Sequence, residues 1–249
     1  MRQFLAALAL VMVVAASAWA DARPELLKDV KVINTDAAAS EFIDFYYLHP
    51  RPDLTLSALQ YFSRNRMLER NTLLAPFSGF LSQVFRKNPE IAAQCARGLN
   101  SPAERKLLVY AVWLSGLENA PDLLKTIATG APAEIGELVK QFTFQVPPDM
   151  LADPIRSPGS IDALWGAFFA TGDRRYVEKV LSVLPWLEDK KDQDRNEIGS
   201  AAGWSLATNA AKQPAVLEIL QQNAKTAPEP NHHLIAEVLR QADERTKAP

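Results

Sequence analysis

Residues 101–129, SPAERKLLVYAVWLSGLENAPDLLKTIAT, carry the signals of two consecutive helices. Ser101 is a favourable N-cap, Pro102 occupies the first helical position, where a missing N–H costs nothing, and Glu104 completes a capping box. Apolar side chains then recur three and four positions apart, which is the period of a helix buried on one face. A polar turn at Asn119 leads to Pro121, which opens a second, shorter apolar helix. This stretch therefore predicts a helical hairpin.

Three further segments repeat this order of elements. Each begins with a helix that has an aromatic and a small residue near its start, and continues through a polar turn into a shorter apolar helix. The segments are residues 77–99, 163–184 and 203–222. Their turns recur at about the 33–47 residues of helical-hairpin repeats, except for a longer interval in the middle.

This arrangement resembles the HEAT, TPR and similar helical-repeat families over roughly residues 72–225. The resemblance is architectural, because the TPR residue pattern is not met at fixed offsets, and it assigns no residue a role. It implies hairpins that stack to complete one another's core. We therefore predict an all-α fold of about ten to twelve helices, built from antiparallel helical hairpins stacked as an irregular α-solenoid or helical array.

Several single residues carry more specific expectations about packing and helix ends. The aromatic residues that stand beside small ones, namely Phe80, Trp113, Trp165 and Trp204, are predicted to lie in the core. Gly98 and Gly130 follow apolar stretches, where a left-handed residue commonly ends a helix.

Residues 145–160, QVPPDMLADPIRSPGS, contain four prolines and cannot continue a helix. They are the best candidate for a boundary, which gives an N-terminal extension at 21–35, an N-terminal helical array at 36–142, a Pro-rich linker or loop at 143–159 and a C-terminal array at 160–249. An ordered loop laid over a groove is the alternative interpretation of the Pro-rich segment.

Residues 1–20, MRQFLAALALVMVVAASAWA, have the pattern of a signal peptide. Arg2 precedes an apolar run that ends in Ala18-Trp19-Ala20, where a peptidase would cut. A membrane anchor is the competing interpretation, but no basic stop-transfer cluster follows the run. The predicted product is secreted, with the periplasm as the expected compartment, and has no stable membrane insertion after cleavage.

Charge and composition argue against several functional classes. The formal net charge of −2 gives no electrostatic argument for nucleic acid. The sequence has no HExxH or CxxC spacing, no Gly-x-Ser-x-Gly elbow and no glycine-rich phosphate loop. The adjacent pair His232 and His233 does not share a helix face, and Cys95, the only cysteine, is predicted to be buried. We therefore predict no catalytic residue, metal or cofactor.

The acidic stretch around Asp192 partly matches a calcium loop. Asp192, Asp194 and Asn196 occupy the first, third and fifth positions of an EF-hand, but Glu197 stands where the turn requires Gly, and Gly203 stands where the loop requires Glu. We expect a solvated connection in which Asp194 or Asn196 caps the next helix.

The stretch DFYYLHPRPD, residues 44–53, is the candidate interaction surface. Helical spacing places Phe42, Phe45 and Tyr46 on one buried face. His49 precedes a proline and is predicted to end this helix. Tyr47, His49 and Arg51 remain as the candidate residues for contact with a partner.

The leading functional prediction is an exported, non-catalytic helical-repeat protein that acts in protein interaction or scaffolding with a partner in the cell envelope. The alternative is a small-molecule or lipid binder with an apolar helical cavity. An enzyme is the least favoured class, since it would need His49, Tyr46 or Tyr47 and acidic side chains to converge in one cleft.

Overall fold

A computed structural model describes residues 27–229 and 231–247. Across this described part the chain folds into twelve α-helices with no strand, which confirms the predicted all-α helical array. The predicted signal peptide lies outside the described residues. The helices are α1 (Asp36–Asp44), α2 (Thr55–Arg64), α3 (Asn71–Lys87), α4 (Pro89–Gly98), α5 (Pro102–Ser115), α6 (Ala120–Ala128), α7 (Ala133–Thr143), α8 (Pro158–Thr171), α9 (Arg174–Leu181), α10 (Gln193–Ala210), α11 (Pro214–Ala224) and α12 (Asn231–Lys247). Short 3-10 helices span Pro52–Leu54, Met67–Glu69 and Leu184–Glu188.

The chain divides into two compact units. Within the described residues, the first unit comprises 27–149 and 165–172, and the second comprises 150–164, 173–229 and 231–247. The division passes through α8. Residues 150–164 belong to the second unit, residues 165–172 belong again to the first, and the chain from residue 173 onward belongs to the second. The boundaries predicted from the prolines stay a prediction.

In the first unit, helices α2 to α5 each pack against the helix two positions further along the chain. Helix α3 packs on α5, and α5 packs on α7, while α2 packs on α4, and α4 on α6. Consecutive helices such as α3 and α4, or α5 and α6, also contact each other. This alternation is the packing of stacked hairpins, in which each hairpin covers the apolar face of its neighbour.

The second unit follows the same pattern on a smaller scale. Helix α10 packs on α9, α11 and α12, and α11 also packs on α9 and α12. The 3-10 helix Leu184–Glu188 packs against α10 at a glycine: a Cβ added to Gly199 would lie 2.1 Å from the Leu187 nitrogen. Only a residue without a side chain allows the two backbones to approach so closely.

The capping box at the start of α5 is present as predicted. The hydroxyl of Ser101 accepts a hydrogen bond from the Glu104 N–H at 3.2 Å, and the Glu104 carboxylate accepts one from the Ser101 N–H at 2.7 Å. Pro102 is the first helical residue, and Gly130 has the predicted left-handed backbone, with φ 66°.

Three local predictions were wrong. Gly98 is the last residue of α4 and has no left-handed backbone; it lies instead against Leu56, whose Cδ1 would be 3.1 Å from an added Cβ. The N-cap of α10 is Asp192, whose carboxylate accepts from the Arg195 N–H, and not Asp194 or Asn196. Helix α1 ends at Asp44, and residues 45–48 form turns before His49.

The predicted core aromatics divide into two groups. Phe80 and Trp165 are buried, whereas Trp113 and Trp204 are half-buried. Phe42 and Tyr46 are buried as expected, and Phe45 is half-buried. None of the helices in the described ranges is both long and apolar enough to cross a membrane.

Candidate functional site

Tyr47, the first of the three candidate interaction residues, packs inside the first unit. Its ring centroid lies 5.3 Å from that of Phe168 in α8, and its backbone N–H donates to the Phe169 carbonyl at 3.0 Å. Burial raises the pKa of the Tyr47 hydroxyl above its ordinary value. Gly172 has φ 68° and stands so close that an added Cβ would lie 2.8 Å from Tyr47 Cδ2. The Tyr47 ring therefore packs against α8 and the residue that follows it.

Arg51 makes hydrogen bonds to the backbone of residues 27–30. Its guanidinium donates to the carbonyl oxygens of Leu27 and, at 2.9 Å, of Val30. The same guanidinium forms two hydrogen bonds with Asp53, at 2.9 and 2.7 Å. The Arg51 hydrogen bond lowers the pKa of the Asp53 carboxyl. These contacts give Arg51 an intramolecular role as a clamp between residues 27–30 and the first 3-10 helix.

His49 is the one exposed member of the three candidates. Its neighbour Leu48 has 53% of its surface exposed. Tyr47, His49 and Arg51 thus do not form one continuous exposed surface, since two of them make intramolecular contacts. Their role in binding a partner stays a prediction.

A different set of residues, 144–148, presents apolar side chains to solvent. Phe144 and Val146 are each 89% exposed, which makes them the two most exposed of the large hydrophobic residues in the described chain. Solvent exposure of a phenylalanine to this degree is unusual, because Phe is among the residues most often buried. We call residues 144–148 the apolar segment.

The apolar segment is anchored on both sides of Phe144. Phe142, two residues earlier, is buried with its ring centroid 4.4 Å from that of Trp113 and 5.0 Å from that of Tyr110. The Trp113 indole N–H donates to the Gln145 carbonyl at 3.0 Å. Both contacts fix the backbone, so that the side chains of Phe144 and Val146 project from a held position.

Sequence reasoning missed the apolar segment, although a signal was present. Ile135, Val139 and Phe142 follow the helical spacing of three and four, and all three are buried. Phe144 is the first residue after α7 and stands two positions after Phe142, where helical spacing would place a side chain opposite the apolar stripe. A large aromatic residue that leaves an otherwise regular apolar stripe is a pattern that predicts exposure.

The two adjacent histidines lie in an exposed cluster of the second unit. The ring of His233 lies between two carboxylates, with Nε2 3.1 Å from Glu188 Oε1 and Nδ1 3.4 Å from Glu229 Oε2. His232 Nδ1 is 3.5 Å from Glu229 Oε1. The cluster connects the 3-10 helix Leu184–Glu188 to the start of α12. Throughout the described ranges, no three His, Cys, Asp or Glu side chains are arranged to hold a metal ion.

The single thiol lies in the core of the first unit. Cys95 is fully buried in α4, and burial raises its pKa to about 12. A nucleophilic or metal-binding cysteine needs the thiolate form, which this environment disfavours. The prediction that Cys95 is buried is confirmed.

Comparison with known proteins adds no further constraint on the site. The chain matches no protein-family model, no curated protein sequence and no solved structure.

Proposed function

We propose that this chain is an exported, non-catalytic interaction protein of the cell envelope, and that it binds a protein partner through Phe144 and Val146. The observation that carries the proposal is their exposure of 89% each, in a chain whose other phenylalanines in the described part are buried or half-buried. Aromatic side chains are enriched in the centres of protein interfaces.

The way in which the apolar segment is held supports a role in binding. Trp113 and the buried Phe142 fix its backbone. A segment that is already ordered loses little conformational entropy when a partner binds, so more of the contact energy appears as affinity. A merely tolerated surface phenylalanine would not require this anchoring.

The exposed area indicates the kind of partner. One aromatic side chain contributes roughly 150–250 Å2, so Phe144 and Val146 together fall well short of the roughly 800 Å2 per partner of a stable interface. Flat pairing of two copies through these side chains alone would bury too little area. A partner with an apolar pocket that encloses the phenylalanine, with polar contacts around it, fits better.

The compartment in this proposal rests on the pattern of residues 1–20, with its single Arg2, apolar run and Ala-Trp-Ala exit. The proposal of a non-catalytic role rests on the dispersal of the candidate acid–base groups, since His49 is exposed while Tyr46 is buried.

The experiment that tests this function is site-specific photo-crosslinking in the cells that make the protein. A benzophenone-bearing phenylalanine analogue is placed at position 144, and at position 141 as a matched control, because Gln141 is also exposed and lies three residues earlier, in the last turn of α7. We expect one defined protein adduct from position 144 and not from position 141. The same adduct should be lost when Val146→Glu is added, since the charge would enter the apolar pocket.

The stability control is the double variant Phe144→Ala, Val146→Ala. Because both side chains are 89% exposed, the denaturation midpoint should not change measurably. An adduct that survives Val146→Glu, an adduct shared with position 141, or an adduct only with a second copy of this chain would contradict the proposal.

A further inference from the structure

A cleft of about 340 Å3 lies in the second unit between α9, α11 and the start of α12. Its apolar lining includes Leu184 and Ile235, which are both buried, and Leu181. Its polar lining consists of Glu178, Ser182, Asn223, Thr226 and Asn231. The volume falls within the roughly 300–1,000 Å3 of small-molecule sites.

The hydrogen-bond donors of this lining are largely used within the protein. The Ser182 hydroxyl donates to the Lys179 carbonyl at 2.7 Å. One N–H of the Asn223 amide donates to the Ile219 carbonyl at 2.9 Å, and the Thr226 hydroxyl donates to the Asn223 carbonyl at 3.4 Å. The lone pairs of both hydroxyls and the amide oxygen Oδ1 of Asn223 remain as acceptors.

Glu178 adds a carboxylate of which one oxygen pairs with Arg174. Its Oε1 accepts from Arg174 Nε at 3.0 Å and lies 2.9 Å from Arg174 Nη2. The remaining terminal nitrogen of Arg174 donates to Gln222 Oε1 at 3.1 Å, so the guanidinium is held by two partners. Among the described residues, Oε2 of Glu178 has no hydrogen-bond donor.

Asn231 completes the lining from the start of α12. Its half-buried side-chain amide makes no hydrogen bond to another described residue. It adds one more acceptor oxygen, together with the one amide group in the lining whose two donors have no acceptor among the described residues. The cleft therefore combines an apolar base with walls that offer more acceptors than donors.

We propose that this cleft binds a primary ammonium group carried on a short aliphatic chain. An ammonium group has three donors and no acceptor, and so complements Glu178 Oε2 and the amide and hydroxyl oxygens. The chain would lie against Leu184, Ile235 and Leu181. A carboxylate on the same chain would be repelled by the negative charge of Glu178. The site belongs to the second unit, whereas the apolar segment belongs to the first, and the proposal does not depend on the function proposed above.

The test is a titration of the purified protein with three probes that share one chain length: pentylammonium, 1-pentanol and pentanoate. Two-dimensional NMR of the backbone and side-chain amides follows the binding. We expect saturable shifts at Asn223 and Asn231 with pentylammonium at about millimolar affinity, which is the range for a ligand of so few atoms. Pentanol should bind about tenfold more weakly, and pentanoate should give no saturable shift.

Two variants identify the groups responsible. Glu178→Gln should weaken pentylammonium about fivefold while leaving pentanol unchanged, because it removes the charge and keeps the shape. Glu218→Gln is the matched control, since Glu218 lies exposed on α11 outside the cleft lining, and it should change neither probe. Asn231→Ala should weaken pentylammonium and leave the circular dichroism spectrum unchanged.

A fourth probe separates two sources of the same chemistry. If a lysine side chain of a peptide is the natural ligand, Nα-acetyl-lysine amide should bind as well as pentylammonium. If a free amine is the ligand, pentylammonium should bind and Nα-acetyl-lysine amide should not. The proposal is overturned if pentanoate binds as tightly as pentylammonium, if neither amine gives a saturable shift, or if Glu178→Gln leaves pentylammonium binding unchanged.

Discussion

Gly166 of α8 lies directly against the carbonyl group of Pro76 of α3. A Cβ added to Gly166 would stand 1.9 Å from the Pro76 oxygen and 2.7 Å from the Phe80 nitrogen. Both neighbours are backbone atoms within a helix, so neither can move aside as a flexible side chain could. The first unit therefore depends on the absence of a side chain at this one position.

Gly166→Ala should destabilise the first unit by about 3 kcal/mol or more, because the overpacked methyl group must displace a helix. Urea denaturation followed by circular dichroism measures the change. Gly136→Ala is the matched control: Gly136 lies inside α7 with nothing within 4 Å of an added Cβ. It should stabilise the protein by roughly 0.5–1 kcal/mol through helix propensity. Equal effects of the two variants would contradict the close approach at Gly166.

Such contacts explain why the helices could be predicted but their partners could not. The capping box at Ser101 and Glu104 joins residues three apart, so its signal is complete within the sequence. Gly166 stands directly after Trp165 in the sequence, but nothing in the sequence identifies Pro76 as its neighbour. Arg51 likewise donates hydrogen bonds to carbonyl groups of residues 27–30, which stand more than twenty positions earlier in the chain.

The candidate site was harder to predict for the same reason. Phe144 and Val146 look like core residues by type, and their exposure depends on whether another helix covers them. The sequence predicts Tyr47 as a contact residue for a partner, but Phe168 from a distant part of the chain packs against it. Exposure is a property of the assembled fold, and local patterns predict it only where a residue leaves the apolar stripe of its own helix.

Arg105 is predicted to be the most important charged residue for stability in the first unit. Its buried guanidinium donates to the carbonyl oxygens of Ile127 at 2.5 Å and Thr129 at 2.8 Å, and to the carbonyl and side-chain oxygens of Asn100 at 3.1 and 3.0 Å. These bonds tie the end of α6 to the turn before α5. Arg105→Ala should cost about 2–4 kcal/mol, since buried carbonyl groups lose their partners.

Two further variants make the Arg105 measurement specific. Arg105→Lys should restore part of the loss, because an ammonium group reaches fewer of the four oxygens. Arg240→Ala is the control on the protein surface, where Arg240 pairs with Glu237 and Glu244. Exposed ion pairs contribute roughly 0–1 kcal/mol, so this variant should change the denaturation midpoint little. An effect of Arg240→Ala as large as that of Arg105→Ala would be inconsistent with the prediction.

Glu104 should make part of the stability dependent on acidic pH. Burial pushes its pKa upward, but hydrogen bonds from the Ser63 hydroxyl and the backbone N–H groups of Ser101 and Asn100 outweigh this, so its pKa lies below the ordinary value. A carboxyl group with a lowered folded-state pKa stabilises the fold above its unfolded pKa, and this contribution is lost as the pH falls through the folded value. The stability contributed by the Glu104 carboxylate should therefore be lost below about pH 4.5.

Glu104→Gln should therefore destabilise the protein at pH 7 by about 1–2 kcal/mol, as expected for a hydrogen-bonded charge, and the difference from the wild type should shrink by pH 3. Urea denaturation at the two pH values measures this difference. Glu134→Gln, on the exposed first turn of α7, is the control and should show little change at either pH. A difference that stays constant between pH 7 and pH 3 would refute the role of the carboxylate.

Asp162 in α8 should have the opposite pH dependence. Burial raises its pKa to about 6 from an ordinary 3.8, and the raised value means that its charged form is disfavoured in the fold. Its contribution is fully present below about pH 3.8 and is lost as the pH rises through about 6. Asp162→Asn should stabilise the protein by about 1–3 kcal/mol at pH 8 and by little at pH 4. Denaturation curves at both pH values give the comparison, and an equal gain at each would contradict the burial of the charge.

The thiol of Cys95 should react only when the protein opens. Its side chain is fully buried in α4, so a reagent cannot reach the sulfur. Burial also raises its pKa to about 12, so the thiol stays protonated at neutral pH. In native buffer at pH 8 a disulfide reagent should label Cys95 far more slowly than it labels the unfolded chain in urea. Because labelling then requires unfolding, Gly166→Ala should accelerate it, and Gly136→Ala should not. Rapid labelling of the native wild-type protein would show that α4 opens without global unfolding.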